Sequence, residues 1–293
     1  MKRRVCIDIN SIVPLIARGF LTGVGRTTLE LVKEIDRIKE ELPFEIMLYL
    51  QNIKGIAPVN FGISLPYKNL FLPSRDSIDR FISPFHIRTT LTKSDLWHCP
   101  HNIGQVDNVR KTIFTIHDMI AFRCTGEFEY QGVLKGLKEF PSLLQKSKAI
   151  ITCSQSSKND IIELMGVNPD NIQVTYWGVR HDLFKPLVDK EDIRKYLAEK
   201  YNINKPYFFA VSCGYGRKNT LQLLEAYVRL LKNNPDNDLV AIWNGYGEDA
   251  AQLIGKGRGR IHILNNVRDD DLVQLYNAAT SLFFPSSYEG FGL

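Results

Sequence analysis

No stretch of the 293-residue sequence approaches the ~18 consecutive apolar residues of a membrane-spanning helix, so a helical span is not expected. Asp8 and Asn10 interrupt the apolar stretch near the start, so no signal peptide is expected either. Cysteine is sparse and unpaired. Cys6, Cys99, Cys124, Cys153 and Cys213 are odd in number, scattered and free of any C-x-x-C spacing, which excludes a disulfide framework and a zinc knuckle and points to reduced thiols in the cytoplasm. There is no dense basic run and no recognisable nucleic-acid module, so nucleic acid is not an expected partner. A G-x-G-x-x-G turn directly after a strand is missing, which argues against a nicotinamide dehydrogenase. No pair of carboxylates suggests hydrolase-style double displacement.

What is present is enough apolar material, 44% of residues, for about two domains with real cores. The net charge of +5 is uneven. Residues 1–186 carry 24 Lys and Arg against 19 Asp and Glu, whereas residues 187–293 carry 13 of each. A positive field on the first part suits an anionic partner, such as a phospholipid surface or a diphosphate-linked acceptor, and is equally compatible with ordinary surface variation.

Short β-branched and apolar runs alternate with helical periodicity along the chain, which predicts α/β architecture with parallel sheets. Residues 5–9 read as a first strand. A long loop then leads to Gly23-Val24-Gly25-Arg26 and a helix whose buried face is expected at Leu31, Ile35, Ile38 and Leu42. A glycine pair at a helix N-terminus either holds a phosphate or is a plain turn. Residues 44–50 read as a strand, 52–75 as loop or weak strand, and 76–93 as a helix bearing Arg80 and Arg88, either half-buried or facing a membrane or acceptor. Residues 96–100 and 112–117 are further strands. His98 and His101 flank a proline without a partner carboxylate, so no metal site is expected there. His117 is better placed, at a strand end where catalytic groups gather. Residues 128–147 read as helical, 149–154 as a strand, and Ser154 as a cap for a helix over 159–165. A strand over 172–177 completes the first half.

Residues 187–204 are strongly charged and read as a linker containing a short helix. The strand 207–211 ends in a glycine-rich turn carrying Arg217 and Lys218, where a cation can pair with phosphate oxygens. Leu221, Leu224, Val228 and Leu231 give the next helix its buried face. A strand over 239–243 leads to Gly245 and Gly247, and another over 261–267 ends at Val267. The D-x-D spacings at Asp236/Asp238 and Asp269/Asp271 are assigned to a turn and to a helix start, not to metal. Last, Leu282, Phe283 and Phe284 read as a buried strand, followed by Glu289 between a strand end and two glycines, Gly290 and Gly292.

The string Ser-Ser-Tyr-Glu-Gly-Phe-Gly-Leu over 286–293 resembles the first half of the Glu-x7-Glu signature of the family 4 glycosyltransferases. Residues 115–123, Thr-Ile-His-Asp-Met-Ile-Ala-Phe-Arg, are similar to that family's histidine segment. Thr22-Gly23-Val24-Gly25-Arg26 resembles its glycine loop with threonine in place of the first glycine, and Arg217-Lys218-Asn219 resembles its phosphate turn, with Ser212 where glycine is common. The resemblance implies a GT-B fold of two Rossmann-like parallel-sheet domains facing a cleft. The first, 1–186, would bind the acceptor. The second, 205–293, would bind the nucleotide sugar and be incomplete at this length, the second Glu of the signature falling beyond Leu293.

The same resemblance implies a retaining hexosyltransferase of the mannosyltransferase-like branch, using GDP-mannose without metal or cofactor. His117 and Glu289 would orient the sugar. Gly23, Val24, Gly25, Arg217, Lys218, Gly245, Val267, Phe291, Gly292 and Leu293 would contact the donor. The acceptor would be a surface polysaccharide or lipid-linked glycan, and the enzyme cytoplasmic and peripheral at the inner face of the membrane. The alternative is a truncated, inactive fragment or a nucleotide- or glycan-binding module.

Overall fold

A computed structural model of the chain describes residues 2–13, 22–51, 62–72, 85–101, 106–126, 138–233 and 235–292. The chain divides into two compact units, Met1–Trp177 with Gly290–Leu293, and Gly178–Glu289.

The first unit is built on a seven-stranded, wholly parallel sheet. Its strands are β1 (Arg4–Asp8), β2 (Glu45–Gln51), β3 (Tyr67–Leu70), β4 (Leu96–Cys99), β5 (Thr112–Ile116), β6 (Ala149–Thr152) and β7 (Ile172–Val174), in the order β3-β2-β1-β4-β5-β6-β7. The chain therefore winds outward from β1 in one direction and then returns to β4 on its other side. The carboxyl ends of β1 and β4 form the switch point at which open α/β sheets bind ligands. Ile7, Ile9, Leu48 and Leu50 are buried on one side with Leu29 and Val32 of helix α1 (Gly23–Arg37). Each such side chain contributes about 1.5–3 kcal/mol relative to exposure.

The N-cap of α1 is Thr22, whose hydroxyl accepts the Gly25 N–H at 3.1 Å. Its buried stripe is Gly25, Thr28, Leu29 and Val32, and the helix ends at Arg37. This corrects the expected face at Leu31, Ile35, Ile38 and Leu42, of which Ile35 and Leu42 are only partly buried. Two small residues, Gly25 and Thr28, make the close approach, and a count of large apolar side chains passes over them. Helices α2 (Ile87–Thr92), α3 (Ile120–Arg123), α4 (Phe140–Lys146) and α5 (Gln155–Met165) complete the described part of this unit. Ser154 caps α5 through the Ser157 N–H, as expected, although α5 begins earlier than residue 159.

Arg88 is not a surface charge on an amphipathic helix. Its side chain and that of Asp107 are each 1% exposed and pair at 2.8 Å. Asp107 also accepts the backbone N–H groups of Arg88 and Thr89, so it caps the start of α2.

The second unit contains helix α6 (Lys190–Tyr201) and strands β8 (Tyr207–Ala210), β9 (Asp238–Ile242), β10 (Ile261–Leu264) and β11 (Ser281–Phe283), with α7 (Thr220–Leu230), α8 (Glu248–Lys256) and α9 (Asp269–Ala278) between the strands. Its four-stranded parallel sheet has the order β10-β9-β8-β11, so β8 and β11 form the same kind of switch point.

The stretch expected as a linker is part of this domain. Ile193 and Leu197 of α6 are buried in one core with Tyr207, Phe209 and Leu275. The charge that suggested a linker lies on the helix's exposed face. Strand β11 was expected to be buried, yet Leu282 and Phe283 are 48% and 38% exposed, because β11 is the outermost strand of its sheet among the described residues. Of the two D-x-D spacings, Asp269–Asp271 opens α9 as expected, whereas Asp238 lies in a strand and not in a turn. Asp238 opens β9, buried and held by Arg260 Nε at 2.7 Å and His262 Nε2 at 3.0 Å. Asp271 is buried against Lys200 Nζ at 2.8 Å and the hydroxyls of Tyr196 and Tyr201. Among the described residues no helix is long and apolar enough to cross a membrane.

Candidate functional site

In the second unit, the turns that follow β8 and β11 lie side by side because the strands do. Ser287 donates its N–H to the Arg217 carbonyl at 2.8 Å, and Asn219 Nδ2 donates to the Pro285 carbonyl at 3.0 Å. This zipper delivers two cations to one carboxylate oxygen. Arg217 Nη1 and Lys218 Nζ both donate to Glu289 Oε1, at 2.8 and 2.7 Å, and Arg217 Nη1 also holds the Tyr288 carbonyl at 2.9 Å. Burial by itself would raise the Glu289 carboxyl. Hydrogen bonds from Lys218 and Ser286, with the charges of Lys218 and Arg217, outweigh it, and the carboxyl is held below its ordinary range. The result is an anionic group and a doubly cationic one in contact at the sheet's switch point.

Backbone geometry supports the turn. Ser212, at the position where the resemblance expects glycine, stands at φ +53°, in the left-handed region. Tyr215 reaches from the same turn to the next strand end, where its hydroxyl accepts the Gly247 N–H and donates to Asp249 Oδ1 at 2.8 Å. The Gly245 turn is thereby joined to the Arg217–Lys218 turn, a link that sequence inspection did not find. Val267 lies beyond β10, partly buried and packed against the core.

In the first unit, His117 closes β5. Its Nε2 lies 2.9 Å from the Pro100 carbonyl, which can only accept, so Nε2 carries the proton and Nδ1 holds the lone pair of the neutral ring. Burial lowers the His117 pKa, against the opposing pull of the Pro100 carbonyl and of Asp118, so the ring is neutral near pH 7. Thr28 of α1 also reaches the Pro100 carbonyl, at 3.4 Å, which ties the helix that begins at Gly23 and Val24 to His117. His98 pairs with Thr115 Oγ1 at 2.8 Å, and burial, with His101 and His117 nearby, lowers its pKa to about 4. Asp8 Oδ2 lies 3.4 Å from His101 Nε2.

Residues Gly290–Gly292 dock on this histidine. The Gly290 carbonyl accepts from Ser154 Oγ at 2.6 Å and Ser157 Oγ at 3.2 Å. The Phe291 ring packs on Trp177 at 5.6 Å, and Trp177 packs on His117 at 4.8 Å. His117, Phe291 and Gly292 are thus gathered in one unit, and Arg217, Lys218, Glu289 and Gly245 in the other. Leu293 lies outside the described residues.

Comparison with known proteins places the chain in a family. The sequence model for Glycosyltransferase Family 4 matches residues 21–183, more than half of the chain, and that for Glycosyl transferases group 1 matches residues 190–293. The chain belongs to glycosyltransferase family 4. This glycosyltransferase is 29% identical over 296 residues to the O-antigen chain mannosyltransferase B of Escherichia coli, an alignment covering 93% of this chain and 75% of that protein. It is 27% identical over 208 residues to the serotype-specific mannosyltransferase WbdA of Escherichia coli, covering 64% of this chain and 24% of that protein. Among solved structures, Anabaena HepE in complex with UDP and glucose superposes with a TM-score of 0.69 at 15% identity, covering 99% of this chain and 76% of that one. WaaG, a glycosyltransferase involved in lipopolysaccharide biosynthesis, superposes with a TM-score of 0.67 at 13% identity, covering 98% and 76%. The glycosyltransferase therefore has the two parallel-sheet α/β domains of the GT-B class.

Gly290 in the glycosyltransferase has a packing requirement that the motif alone does not explain. A Cβ there would stand 2.3 Å from the His117 carbonyl oxygen and 2.9 Å from Asp118 Cβ. The oxygen belongs to backbone at the end of a central strand and cannot yield cheaply. Gly290→Ala is therefore expected to destabilise the first unit by about 1–3 kcal/mol through overpacking, read from denaturant melts. An unchanged melt would mean that Gly290 does not rest against His117.

Proposed function

We propose that the protein transfers mannose from GDP-mannose to a hydroxyl of a surface-polysaccharide or lipid-linked glycan, with retention of anomeric configuration and without metal or cofactor. The observation that carries this reading is the convergence of Arg217 and Lys218 on Glu289 at the carboxyl ends of β8 and β11. Two cations there match a diphosphate, and a carboxylate beside them matches sugar hydroxyls. The mannosyltransferase relatives from Escherichia coli support the choice of sugar.

In the reaction, the acceptor oxygen forms a bond to the sugar's anomeric carbon while the bond from that carbon to the diphosphate oxygen breaks. The electron pair leaves with the diphosphate, and the acceptor's proton passes to a departing phosphate oxygen on the same face of the sugar. Stabilisation of that charge by preorganised donors is the main catalytic contribution. Lys218 and Arg217 supply it, with the backbone amide of Gly292. In the glycine loop Gly25 N–H is committed to Thr22, so the contribution there falls to Gly23 and Val24. His117, neutral, and Glu289 orient the sugar. Gly245 and Val267 lie along the nucleoside. The enzyme works on the cytoplasmic side, at the membrane face that presents the acceptor.

A panel of GDP-, UDP- and ADP-sugars with a mannoside acceptor tests this, with released nucleoside diphosphate and product anomer as readouts. Turnover with GDP-mannose alone, undiminished by EDTA and with retained configuration, is expected. Turnover only with a UDP- or ADP-sugar would refute the mannose donor. Absence of both turnover and nucleotide binding would favour a glycan-binding module.

A further inference from the structure

Four rings follow one another in the first unit. Tyr176 lies 6.3 Å from Phe291, Phe291 5.6 Å from Trp177, and Trp177 4.8 Å from His117, centroid to centroid. The inner members are shielded: His117 is buried, and Trp177 and Phe291 are partly so. The outer one is not. Tyr176 is 69% exposed, just beyond β7, and belongs to none of the hydrophobic cores. A large flat ring left in water beside a line of packed aromatics is apolar surface that a ligand can cover with gain.

The chemistry of that ligand follows from what the ladder offers. The rings carry no charge that would match a phosphate, and the paired cations Arg217 and Lys218 belong to the other unit. One face of a pyranose is lined by C–H groups, and such a face packs on an aromatic ring while the hydroxyls stay in water. We propose that Tyr176, buttressed by Phe291, is the stacking platform for a sugar ring of the acceptor glycan. Trp177 positions this platform relative to His117 and does not itself touch the acceptor. The assignment rests on the glycosyltransferase reading above and adds to it the place where the acceptor is held.

The test uses α-linked mannotriose as probe and the full chain, with binding followed by saturation-transfer NMR and by titration, and GDP titrated in parallel. Tyr176→Ala is expected to weaken mannotriose binding about two- to ten-fold, the range of an aromatic stacking contact. GDP affinity and the melting transition should stay unchanged, because the side chain is exposed. Tyr176→Phe should restore binding, since the ring and not the hydroxyl does the stacking. Mannotriose affinity unaltered in Tyr176→Ala would overturn the platform, as would an equal loss of GDP affinity or a wild-type chain that does not bind the trisaccharide. Binding through Tyr176 without transfer to any mannoside would leave the platform standing and remove the mannosyltransferase reading.

Discussion

Lys218→Ala is expected to lower the turnover of sugar transfer by about 10²- to 10³-fold, the loss typical of removing one preorganised donor from a developing oxyanion. The reason is geometric. Lys218 Nζ sits 2.7 Å from Glu289 Oε1 at the end of a central strand, so its charge is placed by the sheet and not by a mobile stem. The Phe284 ring lies 5.7 Å beneath the ammonium and restricts it further. GDP affinity should fall as well, since Arg217 alone remains to meet the diphosphate. Stability should change little, by about 1 kcal/mol or less, because both members of the pair retain some exposure and Arg217 still neutralises Glu289. Lys218→Arg should recover part of the rate, as charge is kept but the compact ammonium is replaced by a planar fork. Steady-state release of GDP from GDP-mannose, with a thermal melt of each variant, checks all three. A loss of under about five-fold in Lys218→Ala would take the lysine out of the charge-stabilising role.

Asp107→Ala should be the most destabilising of the substitutions considered, by about 3–5 kcal/mol, because it leaves the Arg88 guanidinium buried without its counter-charge. Arg88 and Asp107 are each 1% exposed, and the guanidinium is also held by Tyr49 and Gln51, both contacts at 3.2 Å. Asp107 further accepts the Arg88 and Thr89 amides at the start of α2, so its removal also uncaps that helix. The double variant Arg88→Met/Asp107→Leu should regain most of the loss, since a pair of well-packed apolar side chains often matches a buried ion pair. Denaturant melts read on the first domain's transition would decide this. Equal stability of Asp107→Ala and wild type would mean that the pair is hydrated and not buried.

The alternation of strands and helices was readable because its two periods, 2 and 3.6, are written in apolar residues. Residues 45–51 and 112–116 came within a position or so of their predicted bounds. Errors arose where burial departed from side-chain size or sequence charge. Small Gly25 and Thr28 occupy the buried stripe of α1, charged residues 190–201 form a core helix, and the apolar run 281–283 lies at an edge. The burial of Arg88 was not readable, because its partner Asp107 is 19 residues away.

The candidate site divides in the same manner. Glu289, Lys218, Arg217 and His117 could each be singled out by residue type at a strand end, and their local strings sufficed to identify the family. By itself, then, the sequence determined the order of elements, the chemistry available at each turn and the kinship of the chain, because these are properties of neighbouring residues. That Lys218 meets Glu289 71 residues later, that Tyr215 bridges to Gly247, and that Trp177, itself backed by Phe291, packs on His117 was decided only by the tertiary structure. Strand adjacency brings such groups together: β8 lies beside β11 in one sheet and β4 beside β5 in the other, and pairing of distant strands is a property of the whole sheet that no local window contains.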